Sequence, residues 1–252
     1  MTDSNTTPIA LITGGSRGLG RATALALAAA GVDVVLTYLS NHDGAQEVVA
    51  QIKALGRHSG ALQLDVTDAA SFGAFVETLR GELPAGTLDV LINNGGGALY
   101  STLDTVTEAD VDRVLAEHFK GPLFLTQALL PILADGAKII NVSSALARLT
   151  MSASGPYAAA KAALETLTRY QALEFGSRGI TANAVAAGPV PTDFGDAHLR
   201  SGPALQKIVV DGTALGRLAS AEDIGEAICG IVTASGSWIT GQRIEASGGL
   251  RL

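Results

Sequence analysis

The chain has 252 residues, of which 47% are hydrophobic and 16% charged, which excludes extended disorder and leaves enough apolar material for a sizeable core. A formal net charge of −7 argues against a nucleic-acid-binding surface. The single cysteine, Cys229, has no partner for an internal disulfide and fits a reducing cytoplasm. Met1–Pro8 is polar, lacks a basic start and is expected to be flexible rather than a signal peptide. The apolar stretches Ala24–Ala30 and Leu123–Leu133 are too short or too interrupted to cross a membrane.

From Ile9 onward, strand and helix patterns alternate. Strands are expected at Ile9–Thr13, Val32–Tyr38, Ser59–Leu64, Leu88–Asn93, Lys138–Ser143, Thr181–Val185 and Arg243–Glu245. Between them lie helical patterns at Gly18–Ala30, Asp43–Leu55 after a cap at Asn41, Asp68–Leu83, Glu108–Leu133, Pro156–Ser177 and Ala221–Thr233. Such alternation means right-handed βαβ units. The expected architecture is therefore α/β: residues 9–252 form one doubly wound parallel sheet of the Rossmann type, with helices on both faces. Gly188–Gly216 has little periodicity and follows the sixth strand. A stretch of that kind in a compact domain is usually functional, and a lid is expected there.

Thr13-Gly14-Gly15-Ser16-Arg17-Gly18-Leu19-Gly20 joins the first strand to the first helix. Gly14 permits the turn, Gly18 lets backbone approach a pyrophosphate, and Gly20 allows close packing, while the helix N-terminus offers free N–H groups to an anion. The spacing T-G-x-x-x-G-x-G resembles that of the short-chain dehydrogenases/reductases. The resemblance continues over roughly Ile9 to Gly249. Leu64-Asp65-Val66 looks like the family's adenine-contacting position, and Asn93-Asn94-Gly95-Gly96 resembles its N-N-A-G motif, with Gly in place of Ala. Asn183-Ala-Val-Ala-Ala-Gly188-Pro-Val190-Pro-Thr192 resembles N-x-V-x-P-G-x-x-x-T, which implies that Gly188, Val190 and Thr192 meet the nicotinamide end.

NAD-selective members of that family carry an acid near the end of the second strand, where it binds the ribose. Here the region reads Leu36-Thr37-Tyr38-Leu39-Ser40-Asn41. Asp33 is too early, and Asp43 starts the next helix. Arg17, with Ser40 and Asn41, is placed to bond a 2′-phosphate, so NADP(H) is the expected cofactor.

Tyr157-Ala-Ala-Ala-Lys161 puts two side chains on one face of a helix. A nearby ammonium favours the phenolate, which suits proton exchange with an alcohol or ketone. Ser144 ends the strand preceding that helix, and its spacing from Tyr157 matches the family's substrate-binding serine, which steadies charge on a carbonyl oxygen. The resemblance aligns His118, in Glu117-His118-Phe119-Lys120-Gly121, with the family's catalytic Asn. Its part in a proton relay stays open, through either its main-chain carbonyl or its ring. His42, His58 and His198 have no zinc-ligand spacing, and no metal is expected. Together these features imply an NADP(H)-dependent oxidoreductase interconverting a ketone and a secondary alcohol, a carbonyl reductase type of enzyme. Tyr157 is its expected general acid/base. The alternative is a nicotinamide-binding regulator or sensor without efficient turnover. The resemblance also implies a cytoplasmic homotetramer acting on a small-molecule carbonyl or alcohol, with no nucleic-acid or membrane partner.

Overall fold

A computed structural model describes residues 7–194, 199, 202–234 and 238–252. Most of the expected N-terminal tail, part of the expected lid with His198, and residues 235–237 lie outside the described residues. The described strands are β1 (Ile9–Ile12), β2 (Asp33–Tyr38), β3 (Ser59–Gln63), β4 (Leu88–Asn93), β5 (Leu133–Ser144), β6 (Thr181–Ala187) and β7 (Arg243–Ala246). All seven form one parallel sheet in the order β3-β2-β1-β4-β5-β6-β7. The helices between them are α1 (Gly18–Ala29), α2 (His42–Ala54), α3 (Phe72–Arg80), α4 (Glu108–Leu115), α5 (Gly121–Leu129), α6 (Gly155–Phe175), α7 (Pro203–Asp211) and α8 (Ala221–Thr233).

Successive residues of a strand face opposite sides of a sheet, and β1 shows the result. Ala10 and Ile12 join Val34, Leu36, Val90 and Ile92 in a core covered by α1, α2 and α8. Ile9 and Leu11 join Val35, Leu91 and Ile139 in a second core covered by α3 and α5. Helix starts follow local chemistry. Asn41 accepts from the Gly44 N–H at 3.1 Å to begin α2, and Ser220 and Asp223 form a capping box at α8.

The structure differs from the sequence reading in several elements, β5 among them, which begins at Leu133 and not Lys138. The helix expected to reach Leu133 ends at Leu129, because Pro131 has no N–H to continue the helical hydrogen bonds. It is also divided by a π-helical turn at Ala116–Lys120. The poorly patterned stretch after β6 contains α7, whose start is fixed by Pro203 in its first turn.

Two polar systems tie the sheet to its helices. Asn141, fully buried on β5, accepts from Asn93 Nδ2 at 2.8 Å and donates to Thr168 Oγ1 and Gln171 Oε1, each at 2.8 Å. Nearer the sheet's C-terminal edge, Ser143 and Arg243 both donate to Glu165 Oε1, at 2.7 and 2.8 Å. Arg243 also reaches Glu245, which Arg148 grips from the β5–α6 loop at 2.6 Å. Arg148 donates as well to the carbonyls of Leu250 and Arg251. The arginines and Ser247 hold the Glu245 carboxyl down at about 2.

Replacing Asn141 by Leu takes the 2.8 Å acceptor from Asn93 Nδ2 and leaves Gln171 Oε1 and Thr168 Oγ1 without the donor they share. The expected loss is about 2–4 kcal/mol, read as a lower urea midpoint at unchanged slope.

Candidate active site

In an open α/β sheet, ligands bind where the strand order reverses, here between the C-terminal ends of β1 and β4. The turns leaving these strands are bonded to each other. The Thr13 hydroxyl accepts from the Asn94 and Gly95 N–H groups at 2.9 and 2.8 Å. Asn94 Nδ2 donates back to the Thr13 carbonyl at 2.9 Å and to that of Gly14 at 3.3 Å. From β2, Thr37 accepts the Gly15 N–H at 2.8 Å on its carbonyl and that of Gly14 at 3.3 Å on its hydroxyl.

The glycine turn forms an open backbone cradle. Gly18 has φ +55°, and a Cβ there would meet nothing nearer than the Thr192 side chain, at 3.8 Å across the cleft. Gly20 answers a different need, since a Cβ would sit 2.2 Å from the Gly14 carbonyl. The first turn of α1 has no acidic residue, and the Arg17 side chain does not cap it. Its N–H groups therefore face the cleft with no side-chain competitor from those positions. Ser16 and Leu19 are half-buried, and Arg17 is exposed on the turn.

Beside that turn, the end of β2 carries Leu39, Ser40 and Asn41, all exposed and none acidic. Asp33 accepts from the His58 N–H at 2.9 Å at the far end of the strand, and Asp43 lies in the first turn of α2. Asn41 spends its side-chain oxygen on capping α2, which leaves its amide nitrogen as the donor. Asp65 turns back on itself, accepting from the Thr67 amide and hydroxyl at 2.8 and 2.7 Å, while Val66 is half-buried. One expected cofactor residue is corrected: Asn93 points its side chain away from the cleft, into the buried amide network around Asn141. Its strand position fixes that direction, and its neighbours Asn94 and Gly95 face the turn instead.

Ser144, Tyr157 and Lys161 converge at the end of β5. Ser144 is that strand's last residue, and its hydroxyl accepts from the Leu146 N–H at 3.2 Å and hydrogen-bonds Tyr157. Tyr157 lies in the first turn of α6, opened by Pro156, with Lys161 one turn further on. Lys161 Nζ donates to the Val142 carbonyl at 2.7 Å and lies 5.7 Å from the centre of the Tyr157 ring. The Tyr157 phenol is raised from its ordinary value, where a lowered one is expected from the sequence. Burial pushes the phenol up, the Ser144 hydrogen bond opposes that rise, and Tyr100 adds to it. Burial also pushes Lys161 down to about 8, against the pull of Glu117 and Glu165.

His118 is buried in the π turn, and its ring meets the Tyr157 ring edge-on with centres 5.1 Å apart. Burial first, and then the Lys161 charge, hold its pKa well below the usual value. Gly188 donates its N–H to the Ala246 carbonyl at 2.9 Å, Val190 packs on the core with Leu19, and Thr192 faces Gly18. Thr13, Asn94, Glu117 and Phe194 are the site residues that sequence reasoning misses. Asn94 and Glu117 stand beside recognised positions, whereas nothing local marks Phe194, whose ring centre lies 6.1 Å from that of Tyr157.

Residues 14–251 match the family described as enoyl-(acyl carrier protein) reductase. A hydroxynaphthalene reductase-like protein, Arp2 of Metarhizium brunneum, is 35% identical over 253 residues, which are 96% of this chain and 94% of that one. The solved structure of the angucycline C-6 ketoreductase LanV with bound NADP superposes with a TM-score of 0.90 at 34% identity, covering 98% of this chain and 97% of LanV. A short-chain dehydrogenase from Burkholderia cenocepacia in complex with NADP gives 0.88 at 35% identity, covering 96% and 97%. The chain belongs to the short-chain dehydrogenase/reductase family.

Proposed function

We propose that this protein is an NADP(H)-dependent ketoreductase for bulky, largely apolar ketones, with Tyr157 as its general acid and base. The observation that carries the reading is the convergence of Ser144, Tyr157 and Lys161 beside the glycine cradle. NADPH held along the glycine cradle would supply the hydride that reduces the carbonyl carbon. The Ser144 hydroxyl holds the carbonyl oxygen and steadies the charge that develops there. Tyr157 gives its proton to that oxygen in reduction and takes one back in alcohol oxidation. Burial keeps the phenol protonated at neutral pH, which favours the acid role, and the Lys161 ammonium balances the phenolate left behind.

The cofactor assignment rests on the acid-free end of β2 beside Arg17, with Ser40 and the Asn41 amide as further donors to a 2′-phosphate. Gly188, Val190 and Thr192 take the nicotinamide side, and the exposed face of the Leu64-Asp65-Val66 turn takes the adenine. The NADP named in the LanV and Burkholderia structures supports the same choice.

The substrate class follows from the walls around Tyr157. The exposed Phe194 ring lies 6.1 Å from the Tyr157 ring centre, Leu99 belongs to the same buried apolar cluster as Tyr157, and exposed Leu103 lies over Gly155 at the start of α6. Relatives named for hydroxynaphthalene and angucycline reduction support a flat, bulky ketone. Carbonyl rather than enoyl reduction is favoured by the strand-end Ser144 and the one-turn Tyr157–Lys161 spacing. An acyl-carrier dock finds little support. Arg148 and Arg178 are paired with Glu245 and Asp135, and Arg169 bonds Thr166 on its own helix.

Among the described residues, no helix is long and apolar enough to cross a membrane, and we place the protein in the cytoplasm. Tyr170 and Leu173 on α6 and Phe124 on α5 are exposed apolar groups suited to a homotetramer.

Four tests follow from this reading. Tyr157→Phe should lower kcat by about 10²–10⁴-fold while NADPH still binds, measured on a ketone that wild type reduces. Turnover within a few-fold of wild type would overturn the acid assignment. NADPH binding with no ketone turnover at all would leave the sensor alternative.

Arg17→Ala should weaken NADPH about ten- to hundredfold by calorimetry and leave NADH almost unchanged. Tighter NADH than NADPH binding in wild type would contradict the cofactor choice.

With its folded pKa depressed, Lys161 is an ammonium below about 8 and neutral above it in the cofactor-free protein. The chain's lysines are Lys53, Lys120, Lys138, Lys161 and Lys207, so ¹³C NMR of the ε-carbons resolves this titration. With its pKa held well below the usual imidazole value, His118 is neutral at neutral pH, so kcat/KM profiles of wild type and His118→Asn should be parallel over the neutral range. A limb near neutrality present only in wild type would show that the ring titrates in the reaction.

A further inference from the structure

Gly97 lies between the two halves of the cleft. On one side, the turn Asn94–Gly95 is bonded to Thr13 and Gly14 of the anion cradle. On the other, Leu99 is buried against Tyr157, Val114 and Ala160. Both polar groups of the Gly97 backbone are taken by neighbouring residues of one helical turn. Its N–H donates to Glu117 Oε2 at 2.6 Å, and its carbonyl accepts from His118 Nε2 at 2.7 Å.

Adjacent residues of a regular α-helix do not face the same neighbour. Here they do, within the π turn at Ala116–Lys120. A carbonyl can only accept, so the Gly97 bond fixes the proton of the neutral imidazole on Nε2. The other carboxylate oxygen of Glu117 is held by Arg113 Nη1 at 3.1 Å, and His118 Nε2 lies 3.7 Å from Glu117 Oε2. Gly96, at φ +146°, lies flat on the imidazole: a Cβ there would come 2.3 Å from His118 Cε1.

We propose that Glu117 and His118 form a two-pronged clamp on Gly97, making them positioning residues that set the distance between the cofactor cradle and Tyr157. The consequence for reduction rests on the ketoreductase reading above; the clamp itself does not. Holding one residue by both its donor and its acceptor fixes the rotation of the flanking peptides, which a single bond leaves free. The reacting atoms must be held to a fraction of an ångström, so a loosened turn costs turnover without any loss of the catalytic groups.

Amide exchange across residues 94–99 reads the clamp without turnover, and kinetics read its consequence. Glu117→Ala should raise that exchange at least about tenfold and lower kcat/KM by about tenfold, with NADPH binding weakened only a few-fold. Glu117→Gln, which keeps an acceptor for the Gly97 N–H, should restore most of both. His118→Ala should also speed exchange at Gly97, and the double variant should be less impaired than the product of the singles. Unchanged exchange in Glu117→Ala, a Gln variant as impaired as Ala, or strictly multiplicative effects would each overturn the clamp. Exchange that follows the expected pattern in a protein that reduces no ketone would uphold the clamp and refute the ketoreductase reading instead.

Discussion

The bond system between Thr13 and Asn94 joins two strands at the point where the sheet's order reverses. One hydroxyl accepts two N–H groups from the β4 turn, and one side-chain amide returns two bonds to the β1 turn. Buried donors and acceptors cannot be exchanged for water cheaply, so the two turns move as one piece. The glycine cradle is shaped by this link, since Gly14 and Gly20 approach backbone that Asn94 holds in place. The wall of the cleft that ends at Tyr157 begins only three residues further along, at Gly97.

Polar chemistry in this cleft is governed by desolvation more than by charge pairing. Tyr157, Lys161 and His118 are all buried, and for each the largest influence is the loss of water. Burial leaves the Tyr157 phenol and the His118 imidazole uncharged at neutral pH, while Lys161, at about 8, keeps its ammonium as the charge between them. Glu117 and Glu165 supply the opposing field at Lys161 from two different helical segments. Glu165 is itself held by Ser143 and Arg243, so the field at the lysine depends on the order of the last strand.

Much of this architecture is legible in the sequence because period and punctuation agree. β-branched runs between glycine-marked turns place the strands, and Asn41 caps its helix as its position implies. Tyr157, Lys161 and Ser144 are legible from spacing, because one helical turn and one strand end leave few alternatives. Asn93 is not, because its motif position says nothing about which face of β4 its side chain takes. The π turn at Ala116–Lys120 is hidden too, since its residues have ordinary helical composition. Glu117 becomes visible as a site residue only when that turn brings it onto Gly97. Phe194 reaches Tyr157 through a loop whose path no local pattern encodes.

Arg148 stands four residues after Ser144 and is held by Glu245 and the carbonyls of Leu250 and Arg251, about a hundred residues downstream. Local contacts form early, and contacts across so long a separation carry a loop-closure cost that delays them. During synthesis the glycine cradle, β4 and the first turns of α6 leave the ribosome well before β7. The loop that carries Ser144 therefore acquires its final anchor only after residues 243–251 have emerged. Removing residues 243–251 would take away these partners of the Arg148 side chain together, and with them the anchor of the loop that follows Ser144.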